Sequence, residues 1–251
     1  MSKEPLYDES LVKRYKLRIA NLTRDNFEII KKALDDNEID GVSVSHYHGF
    51  IGTNIEFLQD LPNLRGLILH EREPFDYEVV QTLHSLELLQ DGVRQKALNF
   101  AQFPRMVNLR IGWHPKDEFP AEMPNLKALY IAGYKPKSKN LVKLPAANKL
   151  GRLEFVRGNL ETLEGIERYP QLKDIDLAYC TKLRSISALR NTKVEQITLT
   201  ACKQISDLAS LKECPTLRSI RMEGGPTMDS IAFLNDFKSL EDFRFIKTDI
   251  I

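Results

Sequence analysis

An apolar triplet with the spacing L-x-x-L-x-L recurs along most of the chain, and this repetition limits the possible folds more than any other feature. Successive triplets begin 19 to 25 residues apart. The ten triplets are Ile39/Val42/Val44, Leu64/Leu67/Leu69, Leu83/Leu86/Leu88, Met106/Leu109/Ile111, Leu126/Leu129/Ile131, Leu150/Leu153/Phe155, Leu172/Ile175/Leu177, Val194/Ile197/Leu199, Leu217/Ile220/Met222 and Leu240/Phe243/Phe245. Because 42% of the residues are hydrophobic, single triplets arise by chance, and the spacing rather than any one copy indicates a repeat.

A proline marker keeps the same phase. An apolar residue and then proline stand three and two places before the triplet in Leu61-Pro62, Phe103-Pro104, Met123-Pro124, Tyr169-Pro170 and Cys214-Pro215. Chance would place about half a proline in this phase, whereas five of the 12 prolines share it. Since proline has no backbone N–H and is costly inside a sheet, these residues predict an irregular or 3₁₀ return segment before each strand.

The triplet itself has the pattern of a short strand. We number the places of a repeat from the first residue of its triplet. The apolar residues at places four and six alternate with variable ones, which is the period of a strand with one buried face. Places three, five, seven and eight are therefore predicted to face solvent on one side of a sheet, here called the sheet face.

These repeats resemble the leucine-rich repeat family, in its short class of about 22 residues that occurs in internalins and in a regulatory subunit of a eukaryotic protein phosphatase. The best copies are LEGIERYPQLKDIDLAYC, residues 163–180, and ISDLASLKECPTLRSIRMEGG, residues 205–225. The resemblance covers residues 39 to 248 and implies an α/β leucine-rich repeat solenoid, with a parallel sheet of short strands and a 3₁₀ or irregular convex side. The family's asparagine ladder at place nine is replaced by residues such as Asp91, His114, Cys180 and Cys202. Cysteine is a variant of that ladder, which implies that Cys180 and Cys202 are buried.

The first 38 residues do not repeat. Residues 15–20 predict a strand and residues 23–38 a helix, with Thr23 as its candidate N-cap. We therefore expect residues 1–38 to form an amino-terminal strand-helix cap and residues 39–251 to form one continuous solenoid of about ten units. The sequence stops soon after the last triplet, and no appended catalytic domain is expected.

Charge and cysteine content exclude several classes of protein. With 36 Lys and Arg against 35 Asp and Glu, the net charge of +1 gives no general attraction to nucleic acid or to a membrane surface. No segment approaches the roughly 20 apolar residues of a membrane span. Three cysteines without a C-x-x-C pair predict reduced thiols rather than a disulfide framework or a zinc cage. We expect a cytoplasmic protein that is a monomer on its own.

One part of the predicted sheet face carries aromatic residues and both signs of charge. The predicted partner-binding residues are Arg110, Trp113, Tyr130, Arg152, Glu154, Arg157, Asp174, Asp176 and Tyr179. This composition, which includes the single tryptophan, is typical of protein interfaces anchored by a few large side chains. The alternative is a solvated face whose charges pair with one another along the strands.

Two other site types are weaker alternatives. His46, His48 and His70, with Glu71 as a fourth ligand, suggest a metal-dependent enzyme or sensor. Alternation along a strand would send His46 and His48 to opposite faces, which favours a structural or surface role. No Walker loop, G-x-S-x-G, H-E-x-x-H or dinucleotide-binding glycine motif is present, so neither catalytic residues nor a cofactor are predicted.

The sequence thus predicts a non-enzymatic recognition module that binds a cytosolic protein on its sheet face. An adaptor, an inhibitor of an enzyme and an immunity protein that neutralises a toxin all fit this prediction. A nucleic-acid binder is less favoured because carboxylates interleave with its candidate residues. Those candidates are Arg110, Arg152, Arg157, Arg221 and Arg244.

Overall fold

A computed structural model of the chain describes residues 6–70, 75, 77–228 and 230–247. The chain divides into two compact units, residues 1–118 and 119–251. Both units consist of short parallel strands that follow one another in chain order, joined by 3₁₀ turns. Among the described residues, no helix combines the length and apolarity needed to cross a bilayer.

The described residues of the first unit form two helices and five strands. They are α1 (Glu9–Tyr15), β1 (Ile19–Leu22), α2 (Phe27–Asp35), β2 (Gly41–Ser45), β3 (Gly66–His70), β4 (Leu88–Asp91) and β5 (Asn108–Gly112). Each strand pairs in parallel with the next. The outer edge of β1 is covered by an antiparallel bridge from Tyr7 to Ala20, next to a hydrogen bond from the Asp8 N–H to the Ile19 carbonyl at 3.0 Å.

In the part of the second unit that the structure describes, there are six strands. They are β6 (Ala128–Ala132), β7 (Arg152–Val156), β8 (Asp174–Ala178), β9 (Gln196–Thr200), β10 (Ser219–Glu223) and β11 (Asp242–Ile246). Each again pairs in parallel with the next. Four 3₁₀ segments return the chain between the later strands: Ile166–Arg168, Ser187–Asn191, Leu208–Glu213 and Ala232–Asp236.

The strand register confirms nine of the ten predicted triplets. In the second unit the place-four residues are aligned with one another; they are Leu129, Leu153, Ile175, Ile197, Ile220 and Phe243. The place-six residues are aligned in the same way; they are Ile131, Phe155, Leu177, Leu199, Met222 and Phe245. Up to β10 these side chains are buried. All five marker prolines lie in turns just before strands, as predicted.

The triplet Leu83/Leu86/Leu88 is wrong by three residues. Leu89, not Leu86, is aligned with Leu67 of β3, so this repeat reads Leu86/Leu89/Asp91. Asp91 fills an apolar place and is buried because its carboxylate accepts hydrogen bonds from the Val93 and Arg94 N–H groups at 2.8 and 3.1 Å. The shift moves Asp91 out of the ladder place.

Place nine of that repeat is instead occupied by Arg94, which takes the position of a ladder asparagine. Its guanidinium forms an ion pair with Asp117, and both side chains are fully buried. Arg94 also donates to the Lys96 carbonyl at 2.8 Å, and Asp117 accepts from the Leu98 N–H at 3.1 Å. The pair thus satisfies two backbone groups of the segment that follows β4.

The amino-terminal segment differs from its prediction in two respects. The chain is helical, not extended, at Tyr15, because α1 begins at Glu9 with Asp8 as its N-cap, and β1 begins only at Ile19. The second helix starts at Phe27 rather than near Thr23. Its N-cap is Asn26, whose side-chain oxygen accepts from the Thr23 N–H at 2.8 Å, so Thr23 lies in the turn before the helix.

In two runs of repeats, charges of alternating sign occupy place two, the residue just before the strand; we call these residues the charge ladder. In the first unit Arg18 binds Asp40 at 2.8 Å, Asp40 binds Arg65 at 2.8 Å and Arg65 binds Glu87 at 2.9 Å. In the second unit Lys173 binds Glu195 at 2.8 Å and Arg218 binds Glu241 at 2.7 Å. The salt bridge to Lys173 lowers the pKa of Glu195, and Arg218 adds to this shift. This charge ladder was not predicted.

Candidate partner-binding site

Seven of the nine predicted partner-binding residues lie in the second unit, on or just after three consecutive strands. Tyr130 is on β6, Arg152 and Glu154 are on β7, and Asp174 and Asp176 are on β8, while Arg157 and Tyr179 directly follow β7 and β8. The register places Tyr130 beside Glu154, Glu154 beside Asp176, and Arg152 beside Asp174. These side chains point away from the buried core, because burial alternates along each strand.

Glu154 is a largely buried acidic group with a cationic partner. Its carboxylate accepts a hydrogen bond from Arg152 Nε at 2.7 Å, and its side chain is only 15% exposed. Arg152 remains more than half exposed. This pair matches the alternative prediction, in which charges on the sheet face neutralise one another, and so does the pair of Arg244 with Asp242 on β11 at 3.1 Å.

Asp174 and Asp176 lack such a cation. Within the described part of the chain, neither carboxylate accepts a hydrogen bond or joins a salt bridge. Partial burial raises the pKa of both groups. The neighbouring carboxylate of Glu154 raises the pKa of Asp176 further, against a weaker opposing effect of Arg152 and Arg221. We call these two residues the aspartate pair; burial makes their negative charge costly in the free protein.

Arg157 and Tyr179 occupy place eight, where the backbone of the second unit turns left-handed. Their φ angles are 58° and 55°, and glycine fills the same place in two other repeats, at Gly133 and Gly224. The turn lets the Arg157 N–H donate to the Ala178 carbonyl at 2.8 Å and the Tyr179 N–H to the Thr200 carbonyl at 2.7 Å. The tyrosine side chain is 51% exposed. Large side chains here carry a backbone cost that glycine would avoid.

The other two predicted residues, Arg110 and Trp113, belong to the first unit. Arg110 is on β5, beside Gln90 of β4, and Trp113 follows the end of β5; both side chains are partly buried. The nine predicted residues therefore form two groups, one in each unit, and the larger group is the one in the second unit.

Helix α1 and the residues just after it cover part of the first unit's sheet face. Tyr15, Leu17, Ile19, Ile68 and Leu88 form one buried cluster, against which Leu11 packs. The Tyr15 hydroxyl donates to Gln90 Oε1 at 2.6 Å. Ile68 is 2% exposed although it occupies place five, a place predicted to face solvent. Sequence reasoning missed α1, although Asp8 as N-cap and the apolar pair Leu11 and Tyr15 four residues apart were signals for it.

The histidines of the metal-site alternative lie in different environments. The His46 ring stacks on Phe75, with centroids 5.7 Å apart, and His46 and His48 belong to a 3₁₀ turn rather than to a strand. His70 Nε2 lies 3.3 Å from Gln90 Nε2, and burial followed by the charge of His48 lowers the pKa of His70. Glu71 lies outside the described residues. Among the residues described, no group of three His, Cys, Asp or Glu side chains is placed to hold a metal ion.

The ladder cysteines are buried, as the resemblance implied. Cys180, Cys202 and Cys214 are free thiols. Cys202 Sγ lies 3.3 Å from the Leu177 carbonyl, which it contacts as a donor, and the neighbouring thiol of Cys180 together with burial raises the pKa of Cys202. A thiol in this state is a poor nucleophile.

Comparisons with known structures return proteins built from the same repeats. An internalin (inlF) from Listeria monocytogenes matches 88% of this chain at 13% identity and a TM-score of 0.61, and the chain covers 65% of that structure. Internalin C2 from the same species matches 86% of the chain and is covered over 83%, at 18% identity and a TM-score of 0.47. A leucine-rich repeat protein of Leptospira interrogans matches 99% of the chain and is covered over 83%, at 12% identity and a TM-score of 0.39.

The chain thus spans less than two thirds of the length of the first internalin. No family model and no curated protein matches the sequence. The structural likeness to the first internalin, the parallel strands in chain order and the confirmed triplets agree with one another. The fold of this chain is therefore the leucine-rich repeat fold.

Proposed function

We propose that the chain is a non-enzymatic recognition module that binds a protein partner on the sheet face of its second unit. The observation that carries this proposal is the aspartate pair: two partly buried carboxylates on β8 that accept no hydrogen bond and join no salt bridge among the described residues. Tyr179 directly follows this strand, and Tyr130 lies two strands away at place five of β6. The leucine-rich repeat fold supports a role in binding, since its sheet presents rows of side chains from successive repeats.

The arrangement favours a partner with a basic side chain. A lysine or arginine placed over Asp176 would lie between Glu154 and Thr198, which flank Asp176 in the register. The short side chain of Thr198 leaves room for such a group on the β9 side of Asp176. Ion pairing would offset the cost of keeping the two carboxylates partly buried, which gives the partner affinity as well as orientation.

Three roles fit this surface: an adaptor, an inhibitor of an enzyme with a basic active site, and an immunity protein that neutralises a toxin. Each requires a protein partner and none requires a cofactor. We propose a cytosolic partner, which the three free, buried thiols support, because such thiols are typical of reducing compartments.

The test is affinity purification of the tagged protein from its own cells, with co-eluting proteins identified by mass spectrometry. The variant Asp174→Asn/Asp176→Asn keeps the shape of the surface and removes its charge. We expect it to lose a stoichiometric partner that the wild type retains, with affinity reduced at least about 10-fold in calorimetry with the purified partner.

The matched control is Glu213→Gln, which removes an exposed acidic side chain at the end of the return segment Leu208–Glu213. It should bind the partner as the wild type does. A partner that binds the double variant with unchanged affinity would place the interface elsewhere on the molecule. Replacement of both aspartates by lysine should abolish binding to an enzyme with a basic active site, and retained binding would exclude the inhibitor role.

A further inference from the structure

Basic residues are concentrated in the segments that directly follow four strands of the second unit, β6 to β9. These segments begin at place eight of each repeat and comprise residues 133–139, 157–161, 179–184 and 201–206. Together they contain seven Lys and Arg residues but a single acidic residue, Glu161, although the whole chain has a net charge of only +1. We call the seven basic residues the basic edge; they are Lys135, Lys137, Lys139, Arg157, Lys182, Arg184 and Lys203.

Backbone hydrogen bonds hold these segments side by side. The Glu161 N–H donates to the Lys139 carbonyl at 2.8 Å, and the Arg184 N–H donates to the Glu161 carbonyl at 2.9 Å. The Ser206 N–H donates to the Arg184 carbonyl at 3.0 Å. These bonds continue the alignment of the repeats past the ends of the strands, so basic residues of different repeats lie along one edge of the sheet.

Glu161 shows how this edge holds a carboxylate. Its Oε1 accepts a hydrogen bond from Lys139 Nζ at 2.7 Å. The hydrogen bond from Lys139 lowers the pKa of Glu161, and the charges of Lys139, Arg184 and Lys182 lower it further. Three cations thus act on one carboxylate of the chain itself. Because nearby positive charge favours the ionised form of an acid, this edge stabilises carboxylates.

The other six members of the basic edge have no acidic partner. Within the described part of the chain, none of their side chains joins a salt bridge or donates a hydrogen bond, and all six residues are exposed. The opposite edge of the same sheet differs, because there the charge ladder pairs Lys173 with Glu195 and Arg218 with Glu241. Neighbouring like charges repel one another, and an acidic ligand would offset that repulsion.

The charges beside the basic edge indicate the class of this ligand. The aspartate pair lies on β8, the strand that leads directly to Lys182 and Arg184. The surface therefore changes from acidic to basic within one repeat. Nucleic acid and anionic lipid surfaces are uniformly negative, so the aspartate pair would repel what the basic edge attracts. A polypeptide can carry both signs of charge in neighbouring side chains and so match both parts of the surface.

We infer that the basic edge binds an acidic segment of the same protein partner whose basic side chain lies on the aspartate pair. This inference rests on the proposed function and adds to it a second contact of opposite charge. The row from Lys139 to Ser206 crosses four repeats, or about 14 Å at the spacing of adjacent strands. An extended peptide covers that distance with about four residues. The acidic segment is therefore short, and its recognised groups are the carboxylates of aspartate or glutamate.

Two synthetic peptides test this inference by calorimetry with the full chain. The first contains four glutamates, two glycines and one lysine, and the second has glutamine in place of the lysine. Both should bind the wild type at about 20 mM salt and more weakly as the salt concentration rises to about 200 mM. Lys182→Glu/Arg184→Glu should weaken the binding of both peptides at least about 10-fold, because it replaces two cations near Glu161 by anions.

The matched control is Lys127→Glu/Lys193→Glu, which changes the net charge by the same amount. Both lysines are exposed, form no salt bridge among the described residues and precede strands rather than follow them. This control should bind both peptides as the wild type does, and circular dichroism should show both double variants folded. Equal weakening by the two double variants would overturn the inference, as would a wild type that binds neither peptide at low salt. A uridine hexanucleotide that binds the basic edge more tightly than the peptides would overturn it in favour of nucleic acid.

The lysine of the first peptide separates this inference from the proposed function. The lysine peptide should bind the wild type more tightly than the glutamine peptide, and Asp174→Asn/Asp176→Asn should abolish that difference without releasing either peptide. If the lysine has no effect while Lys182→Glu/Arg184→Glu still weakens binding, the role of the aspartate pair is refuted and the basic edge is retained. If Lys182→Glu/Arg184→Glu binds both peptides like the wild type, the basic edge is refuted.

Discussion

The sheet faces of the two units differ although their strands follow the same repeat. Ile68 of β3 and Asp176 of β8 both occupy place five of their repeats. Ile68 is almost completely buried under α1, whereas Asp176 remains partly open to solvent with a raised pKa. The place in the repeat therefore determines which way a side chain points. Whether that side chain belongs to the core or to an open surface depends on whether another segment of the chain packs over it.

The strongest test of this comparison places the same charge at place five in each unit. Ile68→Asp should destabilise the protein by about 3 kcal/mol or more, because it buries an unpaired carboxylate beneath α1. Thr198→Asp, at place five of β9 on the open face, should cost less than about 1 kcal/mol. Urea unfolding measures both values. Equal costs would show that α1 does not cover the first unit's face in solution.

A smaller effect is expected at the rim of the open face. Because Tyr179 has a left-handed φ of 55°, Tyr179→Gly should leave the stability unchanged or raise it by up to about 1 kcal/mol. Thr198→Gly, in an extended strand, should lower it by about 1 kcal/mol. Thermal melts distinguish the two. A clear loss of stability in Tyr179→Gly would mean that this side chain supports the fold rather than being available to a partner.

The smallest expected effect is a change of stability with pH. The folded-state pKa of Asp176 lies above its ordinary value of 3.8. Because the folded protein holds this proton more tightly than the unfolded chain, protonation of Asp176 stabilises the fold. That stabilisation is fully present below pH 3.8 and is lost as the pH rises through the folded-state pKa. Asp176→Asn should be more stable than the wild type by about a few tenths of a kcal/mol near pH 7, since solvent screens this half-exposed group, and the difference should vanish near about pH 3.

Asp40 in the first unit provides the contrast. Burial alone would raise its pKa, but hydrogen bonds from Arg18 and the charges of Arg18 and Arg65 outweigh that effect and lower it. Asp40→Asn should therefore lose stability near neutral pH and not at acid pH, the opposite sign to Asp176→Asn. Denaturant unfolding across the pH range checks both variants, and changes of the same sign would refute the assigned environments.

The repeat could be predicted from the sequence because its signal is local. The triplets and marker prolines placed nine strands in register without any tertiary information. The tenth was misplaced because Asp91 stands where an apolar residue was expected, and only the backbone N–H groups around it explain its burial. Helix α1 was not predicted, for a related reason. Leu11 and Tyr15 are only a short apolar signal, and the residues against which they pack, Ile68 and Leu88, are distant in sequence.

The candidate site was predictable only in part. The sequence placed Tyr130, Glu154 and Asp176 on one surface, and the register agrees with that placement. It did not reveal that Arg152 neutralises Glu154 and leaves the aspartate pair without a cation, because side-chain pairing depends on rotamers rather than on spacing. The cap formed by residues 1–38 and the single continuous solenoid remain predictions.

The charge ladder before the strands restricts how such a chain can change in length. Its sign alternates from Lys173 to Glu195, Arg218 and Glu241, so the pattern returns only after two repeats. Deletion of the repeat of Glu195 or Arg218, or duplication of any one of these four repeats, would bring two like charges together at the new junction, whereas deletion of the Glu195 and Arg218 repeats together would preserve the attraction between Lys173 and Glu241. Descendants of this protein should therefore gain or lose repeats in this region in pairs.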